Sequence, residues 1–250
     1  MGIACVHFFS KALGKEGQFV ACLPDRQEAP PPYPVFYLLH GLSDDATAWL
    51  RWTSVERYVR TLPLIVVMPD GGRGWYSDAP EGMAYETFIV RDLISFVDRY
   101  LPTDPRRRAR AIGGLSMGGF GAMKLALKHP RLFCSVTSHS GALAFLRPKF
   151  FREAGAEFRR IFPTARIRRE NDPFVLAKNV SRRLLPRIRF DCGQDDSLIE
   201  HNRLFHKHLN RLGIPHEYEE FPGAHEWGYW DTHIKEAIAF HCANFGIKQS

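Results

Sequence analysis

The sequence predicts an α/β fold: a mostly parallel central sheet flanked by helices, with an antiparallel hairpin at one edge. Three observations carry this. Continuous apolar runs, Val35-Phe36-Tyr37-Leu38-Leu39 and Leu64-Ile65-Val66-Val67-Met68, suit strands covered on both faces, as in a parallel sheet. Amphipathic stretches alternate with such runs; Tyr85, Phe88, Ile89, Leu93, Phe96, Val97 and Tyr100 keep one stripe at three- and four-residue steps. A glycine-rich turn over Gly113 to Gly121 joins a strand candidate to a helix candidate.

In chain order, Ala4 to Ser10 and Gln18 to Leu23 read as the edge hairpin. The proline-rich turn Pro30 to Pro34 leads into the first buried strand, which runs out at His40-Gly41-Leu42. Asp44 and Asp45 are expected to cap a helix around Thr47 to Trp49. Ala109 to Ile112 is the strand before the glycine-rich turn, and Phe120, Met123, Leu125 and Leu127 mark the helix after it, stopping at His129-Pro130. Phe133 to Thr137, Arg187 to Cys192 and Glu217 to Phe221 complete the strands. Between the last two lies an amphipathic helix carrying Leu198, Ile199, Phe205, Leu209 and Leu212. A chain of 250 residues with 45% hydrophobic content is expected to form one domain over 1–250, with 145–187 as a cap-like insertion.

Composition narrows the functional classes. The start lacks a basic stretch followed by a long apolar core, and no run approaches the ~18 apolar residues of a membrane span, so a cytoplasmic protein without a membrane partner is expected. Five cysteines at scattered spacings, none in Cys-x-x-Cys, point to reduced thiols, mainly in the core. The net charge of +7 is local: Arg147 to Arg189 holds thirteen Lys or Arg against four Asp or Glu, an excess of nine that leaves the remainder at −2. That segment carries no nucleic-acid-binding motif and reads as a solvated arginine-rich surface, so no nucleic-acid partner is expected. His225-Glu226 does not continue to His-Glu-x-x-His, and Gly71-Gly72-Arg73-Gly74 lacks the lysine and helix of a phosphate loop. Neither metal nor cofactor is expected.

Gly114-Leu115-Ser116-Met117-Gly118 is the Gly-x-Ser-x-Gly pattern of a nucleophile elbow, set between strand and helix as that turn requires. A serine hydroxyl is a poor nucleophile near neutral pH, so it needs a base for its proton and an acid to orient that base. Loops at the carboxyl ends of parallel strands form the site in such folds, and the elbow order is Ser, acid, His. Ser116, a carboxylate in Gln194-Asp195-Asp196, and His225 satisfy both conditions. His139 also ends a strand, but it precedes the acid. Either aspartate could serve; one is expected to orient His225 and the other to cap the helix beginning near Ser197. Oxyanion donors fall at the backbone amides of Leu42 and Met117. Trp49, Trp75, Tyr76 and Trp227 lie in or beside rim loops as candidates for an aromatic acyl pocket.

These stretches, with Val66-Val67-Met68-Pro69-Asp70, Gly74-Trp75-Tyr76-Ser77-Asp78, Ser140-Gly141-Ala142-Leu143 and His225-Glu226-Trp227-Gly228-Tyr229-Trp230, cover most of the chain in order. Together they resemble the esterase family of α/β-hydrolases that includes bacterial tributyrin esterases, S-formylglutathione hydrolase, feruloyl and acetylxylan esterases, and mycolyltransferases. Gly74-Trp75-Tyr76 and His225-Glu226-Trp227 resemble the tributyrin-esterase branch in particular. The resemblance implies an α/β-hydrolase fold, Asp196 as the acid, and cofactor-independent hydrolysis of small short-chain acyl esters through an acyl-enzyme. S-formylglutathione thioester hydrolysis and acetyl or feruloyl carbohydrate ester hydrolysis use the same machinery and stand as alternatives. The sequence leaves a homo-oligomer open.

Overall fold

The computed structural model describes residues 1–25, 30–152 and 155–247. Eight strands form one sheet: β1 (Gly2–Ser10), β2 (Lys15–Leu23), β3 (Val35–Leu39), β4 (Ile65–Pro69), β5 (Arg110–Gly114), β6 (Ser135–His139), β7 (Arg187–Gly193) and β8 (Glu217–Phe221). Their order is β1-β2-β4-β3-β5-β6-β7-β8. β3 to β8 run parallel, while β2 pairs antiparallel with both β1 and β4. The parallel sheet and the edge hairpin are as the apolar runs predict.

Between the strands lie α1 (Ala48–Trp52), α2 (Val55–Val59), α3 (Tyr85–Thr87), α4 (Ile94–Tyr100), α5 (Met117–Lys128), α6 (Pro148–Phe151), α7 (Ala156–Ile161), α8 (Ala165–Asn171), α9 (Pro173–Asn179), α10 (Ile199–Arg211) and α11 (Trp227–Phe245). Alternate strand residues feed two cores. Val20, Phe36, Leu38, Val66 and Met68 pack with α1, α2 and α11; Phe19, Val35, Tyr37, Leu39 and Val67 pack with α4, α5, α9 and α10 on the other face. Phe150, Phe158, Phe162 and Phe174 of the basic segment enter that second core beside Phe120 of α5. No helix among the described residues is long and apolar enough to cross a membrane.

Two elements depart from the sequence reading. The stripe over 85–100 is not one regular helix: Phe88–Leu93 between α3 and α4 is wound as a wider π-type turn. The strand expected at Phe133 to Thr137 lies at Ser135–His139, and Phe133 is instead a buried loop residue.

Buried histidines are expected to make stability sensitive to mild acid. His241 of α11 is wholly buried under the sheet, with Nδ1 2.8 Å from Ser135 Oγ and Nε2 3.0 Å from Thr137 Oγ1, and burial pushes it down to about 3. Burial pushes His201 down to about 4, and His206 and His208 shift the same way. In the unfolded chain these imidazoles take a proton near 6.5, so below that pH the unfolded state binds more protons than the folded one. Stability is therefore expected to be full above about 6.5 and to decline by up to about 1.4 kcal/mol per pH unit for each of the buried His241 and His201 as pH falls toward their folded values. The urea midpoint should drop between pH 7 and 5, above the range where carboxylates contribute. A midpoint constant over that interval would contradict the buried neutral state.

Candidate active site

The elbow lies where β5 enters α5. Ser116 has φ +51° and ψ −114°, a conformation that costs a residue with a Cβ and needs surrounding structure to hold it. Its N–H donates to the His139 carbonyl at 2.9 Å, and its carbonyl accepts from the amides of Phe120 (3.0 Å) and Ala142 (3.2 Å). Gly118 lets α5 start against the end of β3. A Cβ there would lie 2.5 Å from the Leu39 carbonyl oxygen and 2.6 Å from that of His40, both rigid backbone.

The turns after β7 and β8 abut. Gln194 N–H donates to the Phe221 carbonyl at 2.8 Å and Asp195 N–H to that of Gly223 at 3.0 Å. A Cβ on Gly193 would lie 2.3 Å from the Gly223 oxygen, so glycine sets that approach. Asp196 and His225 thereby meet: Nδ1 lies 3.0 and 2.9 Å from the two carboxylate oxygens, and Nε2 lies 3.0 Å from Ser116 Oγ. Since Nδ1 faces only acceptors it carries the ring proton, which leaves Nε2 free to accept from the serine hydroxyl.

Asp196 is buried and Asp195 is exposed. Burial alone raises the Asp196 carboxyl. Hydrogen bonds from His225, the Leu198 amide and the Ser140 hydroxyl outweigh it and hold the group below the ordinary aspartate range. The expected division of labour, one aspartate orienting His225 and the other capping the helix, is thus corrected. Asp196 faces His225 and also accepts from Leu198 N–H at 2.7 Å in the turn leading into α10.

Leu42 follows the end of β3 and Met117 follows the end of β5, so both residues fall on the rim at the carboxyl ends of the strands. Met117 opens α5, whose first-turn amides have no acceptor within the helix. The Leu42 loop is shaped by His40: its Nε2 accepts from Gly71 N–H at 2.8 Å, so Nδ1 carries the proton and donates to the Gly41 carbonyl at 2.7 Å. Tyr76 Oη donates to the His40 carbonyl at 3.0 Å.

Among the aromatic candidates, Trp49 and Tyr76 are buried behind the site, with Trp49 Nε1 donating to the Leu39 carbonyl. They brace the rim loops and present no surface to an acyl chain, which corrects the pocket expectation for these two. Trp75 is nearly buried among Phe120, Phe145 and Phe158. Trp227 is partly exposed and stacks on exposed Trp52. His139 has an acid of its own, with Nδ1 2.8 Å from Asp191 Oδ2, both wholly buried; it touches the elbow through its carbonyl.

Sequence reasoning missed three supports. Ser140, at φ +49°, reaches Asp196 and accepts from Trp230 Nε1 at 3.2 Å. Trp230 sets its ring edge-on to His225 with centroids 4.9 Å apart. Tyr229 Oη donates to Asp191 at 2.9 Å while its ring lies against Gly223. Ser140-Gly141 following a strand and Tyr229-Trp230 beside His225 were visible in the sequence, but not as supports of Asp196 and His225.

Known proteins share this arrangement of strands and loops. The family described as "Putative esterase" matches residues 10–241. An acetyl esterase of Caldicellulosiruptor saccharolyticus is 31% identical over 95% of this chain and 97% of its own. Among solved structures, the fluorophosphonate-binding serine hydrolase FphF of Staphylococcus aureus superposes with a TM-score of 0.85 at 28% identity, covering 96% of this chain and 98% of that one. S-formylglutathione hydrolase of the same organism gives 0.80 at 28% identity, over 96% and 99%. A family match over nearly the whole chain, on an eight-stranded sheet with a serine at the elbow, makes this chain a member of that esterase family, a carboxylic ester hydrolase of the α/β-hydrolase fold.

Proposed function

We propose that the chain is a serine carboxylesterase that hydrolyses short-chain acyl esters through Ser116, His225 and Asp196. The observation that carries this reading is the continuous path from Ser116 Oγ through both ring nitrogens of His225 to Asp196, each step 2.9 to 3.0 Å. Ser116 Oγ attacks the ester carbonyl as His225 Nε2 takes its proton, and the amides of Leu42 and Met117 receive the developing oxyanion. His225 then gives the proton to the leaving alcohol. Water, activated by the same imidazole, releases the acid and restores Ser116. Asp196, held ionised by three donors, faces the imidazolium when it forms.

The short-chain preference is supported by the bulky aromatic packing of Trp75, whose ring centroid lies 5.2 Å from that of Phe145 and 4.6 Å from that of Phe158. A second reading, deacetylation of carbohydrate esters, draws on the exposed Trp52 stacked against Trp227, a flat aromatic face of the kind sugar rings pack on, and on the similarity to an acetyl esterase.

A panel of p-nitrophenyl acetate, butyrate and dodecanoate, an acetylated xylo-oligosaccharide, a feruloyl ester and S-formylglutathione ranks these by kcat/KM. Acetate or butyrate should exceed dodecanoate by at least about tenfold, a tail too long for the site having to displace packed side chains at a cost of about 1–3 kcal/mol. Faster dodecanoate hydrolysis, with solubility controlled, would overturn the short-chain assignment. A dominant value for the thioester or the sugar ester would move the substrate class to that arm.

A further inference from the structure

The basic segment does more than coat the surface. Together with α10 it walls a cavity of about 580 Å³ on the flank of the sheet, lined by none of the residues that contact Ser116, His225 or Asp196. Six cations face it: Arg147, Lys149, Arg169, Lys178, Lys207 and Arg211, with no aspartate or glutamate in its wall. Two have partners outside the wall, Arg147 with Asp172 at 3.2 Å and Lys149 with Glu200 at 2.7 Å. Arg169, Lys178, Lys207 and Arg211 make no ion pair among the described residues. Elsewhere in the region Arg166 pairs with Glu170 and Arg203 with Glu220, while exposed Arg159, Arg160, Arg183 and Arg187 make no ion pair among the described residues; what sets the cavity cations apart is their convergence on one concavity. Lys207 and Arg211 are moreover four residues apart on α10, where like charges repel.

We propose that this cavity binds a small polyanion of the polyphosphate or multiply phosphorylated class. Its walls are preset for such a guest. The Arg147 guanidinium lies 5.1 Å from the centroid of the Phe174 ring and Lys149 Nζ 5.1 Å from that of Phe150, so two cations are fixed over aromatic faces before any ligand arrives. Phe174 is itself fixed, its carbonyl 2.8 Å from His208 Nε2. A cavity of this size falls in the small-molecule range of about 300–1,000 Å³, and its concave form gathers cations around one volume rather than spreading them along a stripe that would follow a nucleic-acid backbone. A monoanion meets at most one or two of the six charges; a chain of phosphates meets several at once. Binding there is independent of ester hydrolysis and stands whichever ester the active site takes.

Titration calorimetry with tripolyphosphate and with orthophosphate, at about 50 mM salt, tests the site. Tripolyphosphate should bind saturably at one per chain and at least about tenfold tighter than orthophosphate, and should weaken as salt rises. The variant Lys178→Gln/Lys207→Gln/Arg211→Gln should lose at least about thirtyfold in affinity, three charge-assisted contacts being removed. It should keep wild-type hydrolysis of a neutral ester, because none of these residues belongs to the proposed machinery. Arg159→Gln/Arg160→Gln, which removes exposed charge outside the cavity, should bind within about twofold of wild type. The proposal is overturned by unsaturable binding, by equal affinity of the triple variant and wild type, or by a control that loses as much as the triple. Tighter binding of a mixed-sequence oligonucleotide than of tripolyphosphate would make the patch a nucleic-acid surface instead.

Discussion

Ser116→Ala should lower kcat toward a short acyl ester by up to about 10⁶-fold while the fold is retained. Among the described residues the side chain has one hydrogen-bonding partner, His225, whereas the backbone N–H and carbonyl of residue 116 carry the bonds that hold the elbow. Alanine keeps those backbone bonds and the cost of φ +51° is nearly unchanged, since both residues carry a Cβ. Ser116→Gly removes that cost and should be as inactive as alanine, with a Tm equal to or above wild type. Loss of activity combined with undiminished stability separates a chemical role from a structural one. A fluorophosphonate probe should label the wild type and neither variant. Turnover above about 1% of wild type in purified Ser116→Ala, or persistent labelling, would remove Ser116 from the reaction.

The sheet was legible chiefly because the apolar runs of β3 and β4 report burial on both faces, as central parallel strands require. The same signal misplaced β6: Phe133 is buried yet lies before the strand, so an apolar residue reported the core without reporting the ladder. The π-type turn at Phe88–Leu93 left no trace in a stripe read at helical spacing. In the site, chain order and strand ends sufficed to nominate Ser116 and His225, because the topology brings every such loop to one rim. Which way a rim residue points was not legible. Trp75 and Tyr76 take φ values of +51° and +49°, and this turn sends both rings into the interior. The supports contributed by Ser140, Tyr229 and Trp230 depend on contacts across 38 to 90 residues of chain, which no local pattern encodes. The cavity of the basic segment is of the same kind: its charges were countable in the sequence, but their convergence with Lys207 and Arg211 of α10 was not.

Asp196→Asn should lower kcat by up to about 10⁴-fold with KM little changed, whereas Asp195→Asn should leave both within about twofold. Neighbours in one turn, the two aspartates differ in what surrounds them. Asp195 is exposed, so its amide variant alters a solvated charge. Asp196 is buried and every group around it is a donor: the Leu198 amide at Oδ1, His225 Nδ1 across both oxygens, and the Ser140 hydroxyl. An asparagine must aim its NH₂ at one of these, and no flip of the amide satisfies all three. If the NH₂ faces His225, the ring is pressed to carry its proton on Nε2, where it can no longer accept from Ser116. If it faces Leu198, a buried amide loses its acceptor at a cost of about 1–3 kcal/mol, which a lowered Tm would record. In both orientations the negative charge that meets the imidazolium is gone, so the loss falls on the chemical step and therefore on kcat. Equal effects of the two substitutions would assign the loss to the turn as a whole, and a larger effect at Asp195 would transfer the acid to that residue.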